Sequence, residues 1–284
     1  MAGAKINHIS FRDDFLVFEF AKSKGNQTRE PHGPCHVYTN PLKPWICPVL
    51  SLARYLFCYP DVLKGDVPLF EGTNQYARYS ACFMQLLNEH QTKEDLKKMI
   101  IVFEPGDLGT HSARKGVATM VAAGYTVSPP IVSLCLRAGW ALGGVKDKYL
   151  FRENAGDMHT GRCSSCHDSG TKEFAISLVY FDFSILEAAE KTRKKRQIRE
   201  FLESALPDSE NIPTSIWKLV NFCFAAICHS YEFLNKNLHQ QCPLRVTAVF
   251  KDIPQEIIEL ATCKYPWNKT EDTPKFTGIL PHVT

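Results

Sequence analysis

The chain has 284 residues, of which 44% are hydrophobic and 22% charged, the balance of an ordinary folded protein. Its net charge is +3 and its pI is near 8.2, and the absence of any window of about 20 apolar residues excludes a membrane-spanning segment. Its 11 scattered cysteines, without an apolar leader at the N-terminus, predict reduced thiols in the cytosol or nucleus rather than a disulfide framework.

The first forty residues predict a small antiparallel sheet. Aromatic and β-branched residues indicate strands in three segments: 8–11, 15–20 and 36–38. Asp13 and Asp14, between the first two, have the chemistry of a turn. The polar stretch 22–27 predicts the tip of a hairpin that leads into the third strand.

Helices follow the predicted sheet. Apolar residues at helical spacing indicate four of them before residue 140: 48–59, 75–90, 110–124 and 128–139. Thr110 is the expected N-cap of the third helix, and Gly124 follows its expected end. Ser128 and Pro129 mark the expected start of the fourth.

A domain boundary is expected within 155–177, where Gly, Ser, His and Cys are dense and helical periodicity is lost. Beyond it, apolar spacing predicts helices over roughly 184–204 and 213–237. The sequence therefore predicts an α+β fold that is mostly helical with a small antiparallel sheet. We expect a domain over 1–160 and a helical C-terminal extension over 161–284.

One short run carries residues suited to phosphate chemistry: Gly109-Thr110-His111-Ser112-Ala113-Arg114-Lys115-Gly116. His111 and Arg114 are three residues apart on a predicted helix, so both side chains leave the same face. A guanidinium fork can grip two phosphate oxygens at once, and a helix N-terminus favours an anion. The alternative is a surface histidine beside a solvated arginine, which arises easily among 10 His and 33 Lys and Arg residues.

Two aromatic residues lengthen this pattern. Trp140 ends the run Arg137-Ala138-Gly139-Trp140, and Tyr149 follows nine residues later. An unbroken helix would carry Tyr149 about 13 Å along, onto the opposite face. Gly143 and Gly144 break the helix, so the tyrosine can return toward the same site. Taken singly, each aromatic residue is equally explained by packing.

The order H-x-x-R, then His or Trp, then Tyr resembles the signature of the tyrosine recombinase (phage integrase) family. The strings THSARKG, SPPIVSLCLRAGW and GGVKDKYL are similar to recombinase-like genes of eukaryotic microbes, including relatives of Crypton mobile elements. The resemblance covers the catalytic domain to about residue 160, and the C-terminal part, including KYPWN and PKFTG, resembles the tail of the same genes. The interval from Arg114 to Trp140 is slightly longer than usual, and 127–130 is the expected insertion.

The resemblance implies DNA recombination or integration by strand cleavage and rejoining. Tyr149 would attack a DNA phosphate and form a 3′-phosphotyrosyl link, with His111 as the base for a phenol whose ordinary pKa is about 10. Arg114 would stabilise the charge on the pentacoordinate phosphate, and Trp140 would donate its indole N–H to it. No metal or nucleotide cofactor is implied, because the covalent link keeps the energy of the broken bond.

The family also uses a lysine at a β-hairpin tip to protonate the leaving 5′-oxygen. Lys24 is favoured for this role over Lys22, because Gly25 beside it gives the sharpest turn. The alternative is a solvated turn lysine. The implied partners are double-stranded DNA and further copies of this chain, with no membrane, in the nucleus or in the cytoplasm of a prokaryote.

One family feature, a second arginine on a helix before the first strand, has no counterpart here. The preceding residues, MAGAKIN, contain no arginine, and Arg12 lies in the predicted strand or turn. We therefore expect an N-terminally truncated or repurposed copy with impaired cleavage. The alternatives are a non-catalytic DNA-binding protein derived from a mobile element, and a type IB topoisomerase-like nicking-closing enzyme.

Two further motifs allow competing interpretations. Cys163-Ser164-Ser165-Cys166-His167 matches the haem-attachment pattern C-x-x-C-H, but no export signal or second zinc-ligand pair accompanies it, so we expect free thiols. The basic run 191–196 predicts a nuclear localisation signal or a phosphate-contacting face. A solvated helix face balanced by nearby glutamates explains it equally well.

Overall fold

A computed structural model describes the fold over most of the chain. The described residues are 4–12, 15–19, 35–89, 94–95, 108–124, 127–138, 140, 154–169, 174 and 178–264. Over these residues the protein combines helices with small antiparallel sheets, which confirms the predicted α+β class at this level. Among them, no helix is both long and apolar enough to cross a bilayer.

The predicted three-stranded antiparallel sheet is present near the N-terminus. Its strands are β1 (Ile9–Arg12), β2 (Phe15–Phe18) and β3 (Cys35–Val37), in the order β1-β2-β3. The central strand is buried on both faces: Leu16 packs into the main core, while Phe15 and Val17 pack with Tyr38 on the other face. The segment 20–34, with both predicted tip lysines, lies outside the described residues.

The main core is built around two helices that are distant in sequence. Helix α1 (Pro48–Cys58) packs against α7 (Trp217–His229), which is apolar over almost its whole circumference and is therefore buried. The ring of Phe224 on α7 lies 6.3 Å from that of Phe57 and 5.5 Å from that of Phe201. Residues on both sides of position 160 thus share one core.

The remaining helices lie between α1 and α7 in the chain or follow α7. They are α2 (Gln75–Asn88), α3 (Thr110–Ala123), α4 (Ile131–Ala138), α5 (Asn154–Ser164), α6 (Ala188–Ala205), α8 (Tyr231–Asn237), α9 (Ala248–Lys251) and α10 (Gln255–Ile258). The helix expected over 213–237 is divided at Ser230 into α7 and α8. The C-terminal part also contains an antiparallel ribbon of β4 (Leu178–Phe181) and β5 (Ala261–Lys264), two strands that the expected helical extension did not include.

Helix α5 lies where the sequence predicted irregular structure. Its segment NAGDMHTGRCS has little apolar character, and it buries the polar residues Asp157 and Thr160. Hydrophobic periodicity cannot detect such a helix, because the face that it buries is polar and small. Together with α3 and α4 it forms a small apolar cluster of Val121, Leu134 and Cys163.

The end of α7 carries a titratable group that favours the neutral form. The Nδ1 atom of His229 is buried without a hydrogen-bond partner among the described residues, and burial lowers the pKa of this histidine below its ordinary 6.5. Because the folded pKa is depressed, protons bind the unfolded chain more tightly. Stability is therefore full above about pH 6.5 and falls as the pH drops through the lower folded pKa.

We predict that His229→Gln flattens the fall in the free energy of unfolding between about pH 7.5 and 5. Urea denaturation at each pH measures it, with His239→Gln as the control, since His239 is exposed. The control should keep the wild-type pH dependence. An equally steep fall in His229→Gln and wild type would contradict the assignment.

Candidate functional site

Helix α3, which carries the H-x-x-R residues, begins at Thr110 with Gly109 as its N-cap. The expected N-cap was Thr110, one residue later. The backbone N–H of Gly109 donates to the Ser112 hydroxyl at 3.0 Å, and the Ser112 N–H donates to the Gly109 carbonyl at 2.8 Å. This reciprocal pair closes the first turn, so the glycine needs no side chain to cap the helix. The Thr110 hydroxyl lies 3.0 Å from the Tyr76 hydroxyl on α2.

The two candidate residues of α3 are both exposed, on its first two turns. The Arg114 guanidinium donates through Nη2 to the Ala138 carbonyl at the end of α4, and its Cζ lies 5.7 Å from the centroid of the Trp140 ring. The structure thus brings Arg114 and Trp140 together, with His111 three residues away on the same helix. Lys24 and Tyr149 lie outside the described residues.

Helix α4 begins later than expected, at Ile131 instead of at Pro129. Two consecutive prolines explain the difference: a residue that precedes proline is disfavoured in helical geometry, so Pro129 cannot readily open the helix. The Pro130 carbonyl instead accepts the Leu134 N–H at 3.3 Å. At the other end of the helix, the backbone N–H of Trp140 donates to the Cys135 carbonyl at 2.9 Å. This hydrogen bond folds the Trp140 backbone back toward the helix end.

The three described helices around Arg114 carry no acidic side chains. Helices α2, α3 and α4 contain no Asp or Glu, and they carry the exposed cations Arg78, Arg114 and Lys115. Over the ranges that the structure describes, no carboxylate forms an ion pair with Arg114. The local excess of positive charge attracts an anion, although the net charge of the whole chain is small.

The basic run on α6 is a contrasting case. Three of its cations form ion pairs with glutamates: Arg193 with Glu190 at 3.3 Å, Lys194 with Glu256 at 2.5 Å and Arg196 with Glu200 at 3.6 Å. This pairing favours the interpretation of 191–196 as a balanced helix face over a phosphate-contacting one.

A buried ion pair joins α4 to α5 and the sheet. Nη1 of Arg137 donates to both Asp157 oxygens at 2.9 Å, and its Nη2 donates to the His36 carbonyl at 2.8 Å. The His36 N–H donates to Asp157 Oδ2 at 2.7 Å. Sequence reasoning missed Asp157, which lies in a stretch without periodicity. The one available signal was the position of Arg137, three residues before Trp140.

Further polar contacts continue from this ion pair, and together with it they form a polar seam between residues 36–40 and 157–167. The Asn40 side-chain amide donates to the Ser165 carbonyl at 2.8 Å, and His167 Nε2 lies 2.8 Å from the Thr39 carbonyl. The seam requires close backbone approach at Gly161, where an added Cβ would lie 2.6 Å from the His36 carbonyl oxygen.

The C-x-x-C-H motif is part of the seam and of the cluster behind it. Cys163 is buried, which raises the pKa of its thiol to about 12, and Cys166 takes a left-handed conformation (φ 61°) after the helix end. The His167 ring is buried against Thr39. Across the described ranges, no group of three His, Cys, Asp or Glu residues could hold a metal ion.

Comparison of the chain with protein-family models, with curated proteins and with solved structures finds no match in any of the three.

We predict that Gly161→Ala destabilises the protein by about 1–3 kcal/mol, because the new methyl group pushes α5 away from β3. Gly116→Ala is the matched control: this glycine is exposed on α3, and beyond its chain neighbours and the helix backbone no described atom lies within 4 Å of an added Cβ. The alanine should therefore stabilise by up to about 1 kcal/mol. Thermal unfolding of both variants measures the difference. A Gly161→Ala protein as stable as wild type would contradict close packing along the seam.

Proposed function

We propose that the protein cleaves and rejoins DNA strands through Tyr149, and so acts in recombination or integration. The observation that carries the proposal is the fixed arginine: Arg114 is exposed near the start of α3, held by the Ala138 carbonyl and the Trp140 ring. Its surroundings on α2, α3 and α4 carry no carboxylate. A guanidinium presented in this way suits a phosphodiester, because its remaining N–H groups match phosphate oxygens.

The proposed reaction is a transesterification. The Tyr149 oxygen attacks phosphorus, the bond from phosphorus to the 5′-oxygen breaks, and a 3′-phosphotyrosyl link remains. His111 takes the phenol proton, and Lys24, or Lys22 in its place, gives a proton to the leaving 5′-oxygen. Rejoining is the same path in reverse, so no cofactor is needed.

Arg114 and Trp140 are proposed to act on the phosphate itself. Charge builds on its non-bridging oxygens in the transition state, and a donor that is already in place stabilises this charge without further reorganisation. The exposed rings of Tyr76 and Tyr79 on α2 offer additional contact to nucleic acid near this surface. In keeping with the family resemblance, the proposal includes action on double-stranded DNA as a homo-oligomer, in the nucleus.

A non-catalytic DNA-binding role is the second candidate, and one observation favours it. Arg137, three residues before Trp140, is engaged by Asp157 and by the His36 carbonyl, so it is not free to supply a second grip on the phosphate. A site with one gripping arginine retains affinity for DNA while losing transition-state stabilisation.

We predict that the protein forms a covalent adduct with supercoiled plasmid, detected after denaturation with SDS, and that Tyr149→Phe abolishes it. Tyr59→Phe is the matched control, since Tyr59 is an exposed tyrosine at the end of α1, and it should form the adduct as wild type does. Arg114→Ala should slow adduct formation about 100-fold or more.

The other outcomes separate the candidates. An adduct that persists in Tyr149→Phe would contradict Tyr149 as the nucleophile. Salt-sensitive DNA binding without any adduct would support the non-catalytic role. Relaxed plasmid without preference for a sequence would instead favour a topoisomerase-like enzyme.

A further inference from the structure

The end of α4 presents two groups to Arg114: the Ala138 carbonyl accepts a hydrogen bond from its guanidinium, and the Trp140 ring lies beside it. Arg114 itself is exposed on α3. A long, exposed side chain samples many rotamers unless fixed partners restrict it. The placement of Arg114 therefore depends on where the last turn of α4 lies.

Arg137 fixes the position of the last turn of α4. This residue immediately precedes Ala138, and its guanidinium donates to Asp157 on α5 and to the His36 carbonyl on β3. The Asp157 side chain is 3% exposed and that of Arg137 is 15% exposed, so water does not compete effectively for these contacts. Three elements of the fold meet at this one side chain.

We propose that Arg137 and Asp157 are positioning residues that hold Arg114 in place for a DNA phosphate. The contacts run from Asp157 to Arg137, through the backbone to Ala138 and Trp140, and from these to Arg114. Neither positioning residue touches the phosphate. The inference rests on the proposed function, since it assigns to the buried pair the preorganisation that such a site needs.

The test is a double-mutant cycle that combines Asp157→Asn with Arg114→Ala, with affinity for a short DNA duplex as the measurement. Asp157→Asn should weaken binding several-fold to about tenfold, because Arg114 must then be ordered on binding. Arg114→Ala should lower the slope of log affinity against log salt by about 1. In the Arg114→Ala protein, Asp157→Asn should have no further effect.

Equal losses from Asp157→Asn in both backgrounds would overturn the inference, because a general structural defect does not depend on Arg114. Asp252→Asn is the matched control: Asp252 is exposed, so the substitution should leave the affinity unchanged. If Asp157→Asn does not fold, Arg137→Lys replaces it in the same cycle. The lysine keeps the charge beside Asp157 and loses the fork that also reaches His36.

A second measurement separates this inference from the proposed function. Acrylamide quenching of Trp140, taken as the difference between each protein and its Trp140→Phe form, reports the end of α4 without DNA. Quenching should increase in Asp157→Asn and in Arg137→Lys, and stay at the wild-type value in Asp252→Asn. Unchanged quenching in the first two variants would overturn the positioning role. Wild-type protein that fails to bind DNA would overturn the proposed function instead.

Discussion

The contact between Arg137 and Asp157 links the elements of the fold that surround the candidate site. It joins the end of α4 to α5, and through His36 it joins both to β3. A buried ion pair of this kind adds little net stability, because the two charges lose their hydration when they are buried. Removal of one partner is nevertheless costly, about 3–5 kcal/mol in comparable pairs, because the other charge is left buried alone. We infer that its contribution is to geometry more than to stability.

The main core and the cluster behind the site differ in size and in the parts of the fold that they join. The main core, centred on α1 and α7, is extensive and draws on residues from both ends of the described chain. The cluster behind the site has three fully buried members, on α3, α4 and α5. The polar seam joins α5 to β3, and because hydrogen bonds are directional where apolar contacts are not, it fixes the orientation of these helices closely.

The elements that the sequence predicts correctly are those marked by hydrophobic periodicity or by turn-forming residues. The three strands, α1 and α3 were placed within one or two residues, because their apolar spacing or β-branched content is strong. Helix α5 was missed because it buries Asp157, Thr160 and Gly161, residues that local patterns assign to loops. The start of α4 differs from the prediction because Pro130 disfavours helical geometry at Pro129.

The candidate site was recoverable only in part, for a related reason. The H-x-x-R spacing and the following Trp140 identified surface residues on α3 and just after α4, and the structure places Arg114 beside Trp140. The residues that contact the end of α4 are distant from one another in sequence. Arg137, Asp157 and His36 are separated by 20 to 121 positions in the chain. No local signal connects such residues, so only the folded structure shows that they meet.

Arg114 on α3, held by the end of α4, is proposed to bind a DNA phosphate. NMR of protein labelled with ¹⁵N-arginine follows this contact, with the Arg114 Nε–Hε signal assigned through Arg114→Lys and recorded as duplex DNA is added. We expect this signal to shift, while that of Arg199, stacked 3.3 Å from the centroid of the Trp217 ring and paired with Glu203, stays in place. An Arg114 signal that does not move while other arginines respond to DNA would contradict the proposed contact.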